Sequence, residues 1–234
     1  TDNRSTEDQL GGDVIHETEA QKKHDTQIKE SWYRCEQYGL EHGTSPEFNH
    51  LPKGELSDLR QQHHELLNTT ENEVLPYYEN ILNNSACMIV LADPNGRVLN
   101  TWGHQRVSTF GDYGLRDGNL WEEATVGTNA IGTALATGSA VQVGRDEHFL
   151  RANRFMAGAA SPIYDSKNSM LGVLDISSDA YLPQDHTLGM VKLMTLSVEN
   201  RLIMAEFSND YFILAFNTNV FNLDSHWSGI LVID

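Results

Sequence analysis

Between residues 86 and 178 the chain is broken into short apolar runs, each closed by residues that reverse a backbone, and this punctuation commits the stretch to strands. The run ACMIVLAD carries Ile89 and Val90 and meets Asp93-Pro94-Asn95-Gly96, where a proline and a glycine suit a tight reversal; RVLNTWG follows, and together they read as a hairpin. Residues 140–143 form a third run. Residues 154–164, RFMAGAASPIY, form a fourth that runs into Pro162, Asp165 to Asn168 are a turn, and SMLGVLDISS is a fifth. Helical text surrounds these strands, so the chain is expected to be α+β, an antiparallel sheet with helices on one face.

The helical text is legible by its spacing. Ile28, Trp32, Cys35 and Tyr38 fall three and four residues apart on an otherwise charged segment from residue 14, which Gly39 ends. Residues 41–52, with two prolines and a glycine, are a connecting loop. A long helix is expected over residues 56–83, with Leu56, Leu59, Leu66, Leu67, Val74, Leu75, Tyr78, Ile81 and Leu82 near helical spacing and Pro76 as a kink or a junction. A closing helix over residues 184–207 carries the stripe Leu188, Val191, Met194, Val198 and Leu202, which predicts side-by-side helix packing and a homodimer. The resulting division is a flexible terminus over 1–13, a helical region over 14–83, a core domain over 84–207, and a linker with the first strand of another unit over 208–234.

The segment 120–135, LWEEATVGTNAIGTAL, is the least generic text in the chain. Gly127-Thr128-Asn129 fits a turn feeding a helix N-terminus, where a Thr or Asn oxygen accepts from exposed backbone N–H groups. Ala130, Ile131, Ala134 and Leu135 give that helix an apolar face, and Gly132 lets a strand approach closely.

Charge narrows the partners. With 16 basic against 33 acidic residues the formal charge is −17, which repels both nucleic acid and anionic membrane. No run approaches the roughly 20 apolar residues that span a bilayer, and the polar start has no apolar signal core, so a cytoplasmic location is expected. Cys35 and Cys87 are too few and too far apart for a disulfide framework or a multi-cysteine zinc site.

The joint occurrence of LWEEATVGTNAIGTAL, EHF and AGAASPIYDSKNSMLGVLDIS, preceded by SWYRCEQYGL, resembles the N-terminal GAF region of bacterial sigma-54-dependent enhancer-binding activators. The most similar subgroup is that of the acetoin-catabolism and glycerol-metabolism (dihydroxyacetone kinase) regulators, and the match runs over residues 28–207. The resemblance implies an antiparallel sheet of about six strands flanked by helices. It also implies a ligand cavity between the sheet and the segment on its far face, and an ATPase and a helix-turn-helix lying outside these residues. The absence of a Gly-x-x-x-x-Gly-Lys-Ser/Thr phosphate loop agrees with this. Gly158 stands where the family often has a cysteine, and the ending WSGILVID resembles the first strand of a PAS domain.

His63 and His64 are adjacent, so on a helix they diverge; Asp146, Glu147 and His148 are consecutive and poorly placed to chelate one ion. No metal and no cofactor are expected. Ser161 lacks a nucleophile elbow, Asp93 and Asp175 have ordinary turn and strand-end roles, and Cys87 alone cannot close a redox cycle, so the chain is not expected to be an enzyme. Binding remains. Trp102, Trp121, His148, Phe149, Phe155 and Met156 are aromatic or soft side chains at element ends, and Thr128 and Asn129 supply nearby hydrogen bonds, a composition suited to a small-molecule site. The expected partner is a small-molecule effector, for which the resemblance suggests an acetoin-like hydroxy-ketone or alcohol. The alternative is a protein-interaction module reading a metabolic enzyme subunit of the dihydroxyacetone kinase type.

Overall fold

The computed structural model describes residues 18–77, 79, 87–103, 114–179, 186–217 and 228–233. The expectations for the terminus, for Tyr78, Ile81 and Leu82, and for Gln184 lie outside the described residues. Helix α1 (Glu19–Gln37) begins where Thr18 accepts from the Gln21 N–H, and α2 (Lys53–Gln62) and α3 (His64–Tyr77) follow. The single helix expected over residues 56–83 is thus two. The break falls at His63, whose φ of −102° and ψ of 22° leave the helical region, while Pro76 is accommodated inside α3.

Strands β1 (Cys87–Ala92) and β2 (Val98–Gly103) form the expected hairpin. Asp93 Oδ1 accepts from the N–H groups of Asn95 and Arg97, and Gly96 takes the left-handed conformation with φ +87°. Short α4 (Glu123–Val126), α5 (Ala130–Thr137) and β3 (Val141–Val143) lead to β4 (Met156–Tyr164), β5 (Met170–Asp179) and the closing α6 (Thr187–Phe207). The sheet is antiparallel throughout, in the order β2-β1-β5-β4-β3, so β5 is the central strand.

Helices cover both faces of this sheet rather than one. Strands β1 and β4 are buried along nearly their whole length, so each face of the sheet needs an apolar cover. On one face α1, α4 and α5 pack with Val90, Ala92, Val98, Ala160 and Val173. On the other, α3 and α6 pack with Ile89, Leu91, Leu99, Ala159, Leu174 and Ile176. The α6 stripe predicted to make a dimer is used here: Val191, Met194, Val198 and Leu202 are buried within the chain's own second layer and are not available to another copy. The final strand, β7 (Gly229–Ile233), pairs with β6 (Phe212–Phe216) as a separate hairpin that leaves Phe212, Leu214, Phe216 and Leu231 exposed. None of the helices described is long and apolar enough to cross a membrane.

Candidate functional site

The site lies between the middle of the sheet and α5. Asn129 caps α5, its Oδ1 accepting from the Gly132 N–H at 2.8 Å and its Nδ2 donating to the Gly127 carbonyl at 2.8 Å. The close approach allowed by Gly132 is made by the Trp121–Glu123 backbone rather than by a strand: a Cβ there would lie 2.8 Å from the Trp121 carbonyl oxygen. Contact between α5 and the sheet depends instead on Gly158, where a Cβ would lie 2.9 Å from Ser177 Oγ, 3.0 Å from Asp175 Oδ1 and 3.2 Å from Ala130 Cβ.

Asp175 is the side chain that gives this layer its chemistry. On β5 it is paired laterally with Val90 of β1 and Ala160 of β4, and directly opposed residues share a face, so its carboxyl points into the layer beneath α5. It is fully buried. Oδ2 accepts from Ser177 Oγ at 2.6 Å, while Oδ1 has no hydrogen-bond partner. Burial pushes its pKa up from 3.8 to about 7, against the opposing pull of the Ser177 hydrogen bond.

His148 faces the same space. Its Nδ1 lies 3.0 Å from the Thr128 carbonyl and therefore carries the proton and donates there, which leaves Nε2 as a bare acceptor without a bonded partner. Burial pushes its pKa down to about 4, although the Thr128 and Met156 backbones favour the charged form, so the ring is neutral near pH 7. Together with Leu115, Trp121, Asn129 and Met156, the Asp175 and His148 side chains, each with one unpartnered buried atom, line a cavity of about 10 Å³, the scale of one water site.

The structure brings together Trp121, Asn129, His148 and Met156 from the predicted set, and Thr128 joins them through its backbone. Trp102 does not join them. The register shift between Leu91 and Ala92 sets it opposite Ile89, so its ring packs on the α3 and α6 side of the sheet. Phe149 belongs to a separate cluster with Cys35 and Leu150, edge-on to Trp32 at 5.7 Å, and Phe155 packs at the margin of the first layer. Asp146, Glu147 and His148 diverge: Asp146 is exposed near Arg154, Glu147 turns to His24 at 2.5 Å, and His148 points inward.

A second polar cluster, which sequence reasoning missed, fastens α1 to the motif. Glu123 is buried, and its carboxylate accepts from Arg34 Nε at 2.6 Å and Nη2 at 2.9 Å, Thr133 Oγ1 at 2.8 Å and Ser31 Oγ at 2.6 Å. A buried carboxylate requires such a complement of donors and a countercharge. Ser31 Oγ also lies 2.7 Å from Thr128 Oγ1, and Trp32 Nε1 donates to the Glu147 carbonyl at 2.7 Å. Cys35 is buried against Thr128 and Glu123, and burial raises its thiol pKa, the opposite of what a reactive thiolate needs. Residue Thr128 is thus shared, its carbonyl holding His148 and its hydroxyl touching α1. The loop at residues 41–52 covers the outside, with the Phe48 ring 5.1 Å from Trp121 and its carbonyl accepting from the Leu120 N–H.

Comparison with known proteins places this arrangement. The model of the MimR N-terminal domain matches residues 28–196, from α1 into α6. The chain belongs to the MimR N-terminal domain family. It is 31% identical over 193 residues to the acetoin dehydrogenase operon transcriptional activator AcoR of Bacillus subtilis, covering 81% of this chain and 31% of the relative. It is 28% identical over 217 residues to the acetoin catabolism regulatory protein of Cupriavidus necator, covering 90% and 32%. The chain therefore spans about a third of the length of these relatives. Among solved structures it is similar to the E. coli DhaR(N)–DhaL complex, with a TM-score of 0.72 and 19% identity over 82% of this chain and 71% of that one. The fold is accordingly the GAF-like α+β fold expected of this family, a 5-stranded sheet among the described residues, and the family's relatives are transcriptional regulators rather than enzymes.

Proposed function

We propose that this chain is the ligand-sensing regulatory region of a sigma-54-dependent transcriptional activator, binding a small uncharged metabolite of the acetoin type between α5 and the sheet. The observation that carries the reading is the pair of buried, unpartnered polar atoms, Asp175 Oδ1 and His148 Nε2, on two side chains that line one cavity. Leaving two polar atoms unsatisfied costs on the order of 1–3 kcal/mol each, which a ligand's hydrogen bonds recover. The cavity is the size of one water, so a metabolite of several heavy atoms enters by displacing flexible liners, Met156 and Leu115 foremost. Charge agrees with an uncharged ligand, because no cationic side chain is among the described residues lining the cavity. The relatives named for acetoin operons support the same class.

The test is a melting screen of short alcohols, ketones and hydroxy-ketones on the 234-residue chain. A ligand at about 100 times its dissociation constant adds about 2.7 kcal/mol to stability. No shift with any of them would reject the reading.

A second reading follows from the solved relative, which is a complex with the DhaL protein. By that likeness the chain would be a module that binds a metabolic enzyme subunit. Co-sedimentation with a dihydroxyacetone-kinase-type subunit, in the absence of any metabolite shift, would favour it. Homodimerisation and a following PAS domain belong to the same picture of the whole regulator; sedimentation at micromolar concentration showing only monomer would count against the dimer.

A further inference from the structure

We propose that Asp175 and His148 select the effector. His148 Nε2 accepts a hydrogen bond from a ligand hydroxyl, while Asp175 meets the neighbouring oxygen and, by carrying or lacking its proton, admits a carbonyl or a second hydroxyl there. The inference rests on the effector reading above and adds the groups and the direction of each hydrogen bond.

The direction at His148 is fixed by the protein. Nδ1–H is spent on the Thr128 carbonyl, so the inward nitrogen has a lone pair and nothing to donate. A ligand that only accepts hydrogen bonds, such as a simple ketone, leaves that nitrogen unsatisfied. One with a hydroxyl satisfies it.

At Asp175 the direction is variable. Oδ2 is held by Ser177, and Oδ1 lies over Gly158, whose missing Cβ lets α5 pack close to the carboxyl. A protonated carboxyl donates from Oδ1 to a carbonyl oxygen; a carboxylate accepts there from a second hydroxyl. Val90 from β1, Ala160 and Gly158 from β4, and Ala130 and Asn129 from α5 and its cap carry no charge. His148 is the one other titratable group among the described residues lining the cavity, and its pKa of about 4 keeps it neutral across the useful range. The proton on Asp175, with a pKa of about 7, therefore sets whether the oxidised or the reduced member of a hydroxy-ketone and diol pair is preferred. A carboxylate ligand is refused in either state because no cationic side chain among the described residues lining the cavity compensates its charge.

The experiment is calorimetric titration of the intact chain and of Asp175→Asn with acetoin, 2,3-butanediol, 2-butanone and lactate at about pH 6 and pH 8. In the wild type, acetoin binds about tenfold more weakly at the higher pH, and the diol shifts about tenfold the other way, as a single proton on a group titrating near 7 requires. Butanone and lactate bind much more weakly than acetoin at both. Asp175→Asn, which differs by one atom and keeps an acceptor for Ser177, loses the pH dependence. Wild-type acetoin affinity equal at both pH values, or a pH dependence preserved in Asp175→Asn, overturns the assignment and leaves the effector reading standing. Butanone binding as tightly as acetoin overturns the role given to His148. Failure of all four probes to bind at either pH overturns the effector reading itself and this inference with it.

Discussion

Replacing Asp175 by Asn changes how stability depends on pH, and the size of the change follows from the carboxyl's surroundings. Its pKa stands near 7 in the folded chain against an ordinary 3.8, because burial disfavours the charge. Between those values the unfolded chain has lost the proton and the folded chain keeps it. The native state then binds one proton more, so stability falls as pH rises, by about 1.4 kcal/mol per pH unit and by about 4 kcal/mol across the window. His148 works the other way. Its pKa is lowered from 6.5 to about 4, so between those values the unfolded chain holds the extra proton and stability rises with pH at a similar rate. Over the shared interval the two slopes nearly cancel in the wild type. Asp175→Asn removes one of them, so its stability climbs with pH up to about 6.5, where the wild type is flat, and then levels off. Urea unfolding of both proteins at about pH 5, 6, 7 and 8 measures the difference, with the midpoint read at constant slope. The advantage of Asp175→Asn should grow steadily until about pH 7 and then stop. Two parallel pH profiles would refute the argument, since they would mean that Asp175 is ionised in the folded chain at acidic pH.

Arg34→Met leaves the Glu123 carboxylate buried without its countercharge and should cost about 1.5–3 kcal/mol in urea unfolding; no loss would mean that α1 is not held through this pair. Gly158→Ala places a methyl within 3.0 Å of both Ser177 Oγ and Asp175 Oδ1 and should destabilise by about 1–3 kcal/mol, whereas a neutral result would show that the carboxyl has room to retreat. Trp121→Ala removes a ring only 1% exposed and should cost about 3–5 kcal/mol, against about 1 kcal/mol for Asn129→Ala, whose main structural duty is to cap α5; equal losses would contradict the burial. The hydrogen bond to Glu147 raises the pKa of His24, so this contact contributes stability below the ordinary value of 6.5 that is lost as pH rises through the folded value. Proton NMR should find His24 titrating above 6.5 in the wild type and lower in Glu147→Gln.

What the sequence discloses about this chain divides along physical lines. The hairpin, described over residues 87–103, and the cap at Asn129 are each set by a few neighbouring residues, and the structure has them where the text places them. The sequence reading puts helices on one face of the sheet; the nearly continuous runs of β1 and β4 carry a signal for cover on both faces, but a run of that kind does not say what covers them. The α6 stripe illustrates the gap. Its spacing demands a partner surface, and α3 and the sheet supply one inside the chain as readily as a second copy would. Trp102 lies apart from the other expected site residues because a shift of one residue in the β1–β2 register exchanges the faces of every residue beyond it. The partnership of Ser31, Arg34 and Glu123 spans about ninety positions, with no local pattern to announce it beyond the SWYRC and LWEEATVGTN texts that supply its two halves. Asp175 did carry a local signal. A carboxylate flanked by Val173, Leu174 and Ile176 in a strand that must be central has no inexpensive place to go, and the strand-end role expected of it does not hold because both neighbouring strands pair alongside it. An acid in that position is either paired with a base or kept partly protonated, and the residue types around it, with Gly158 opening the space and Ser177 supplying one hydrogen bond, decide for the second.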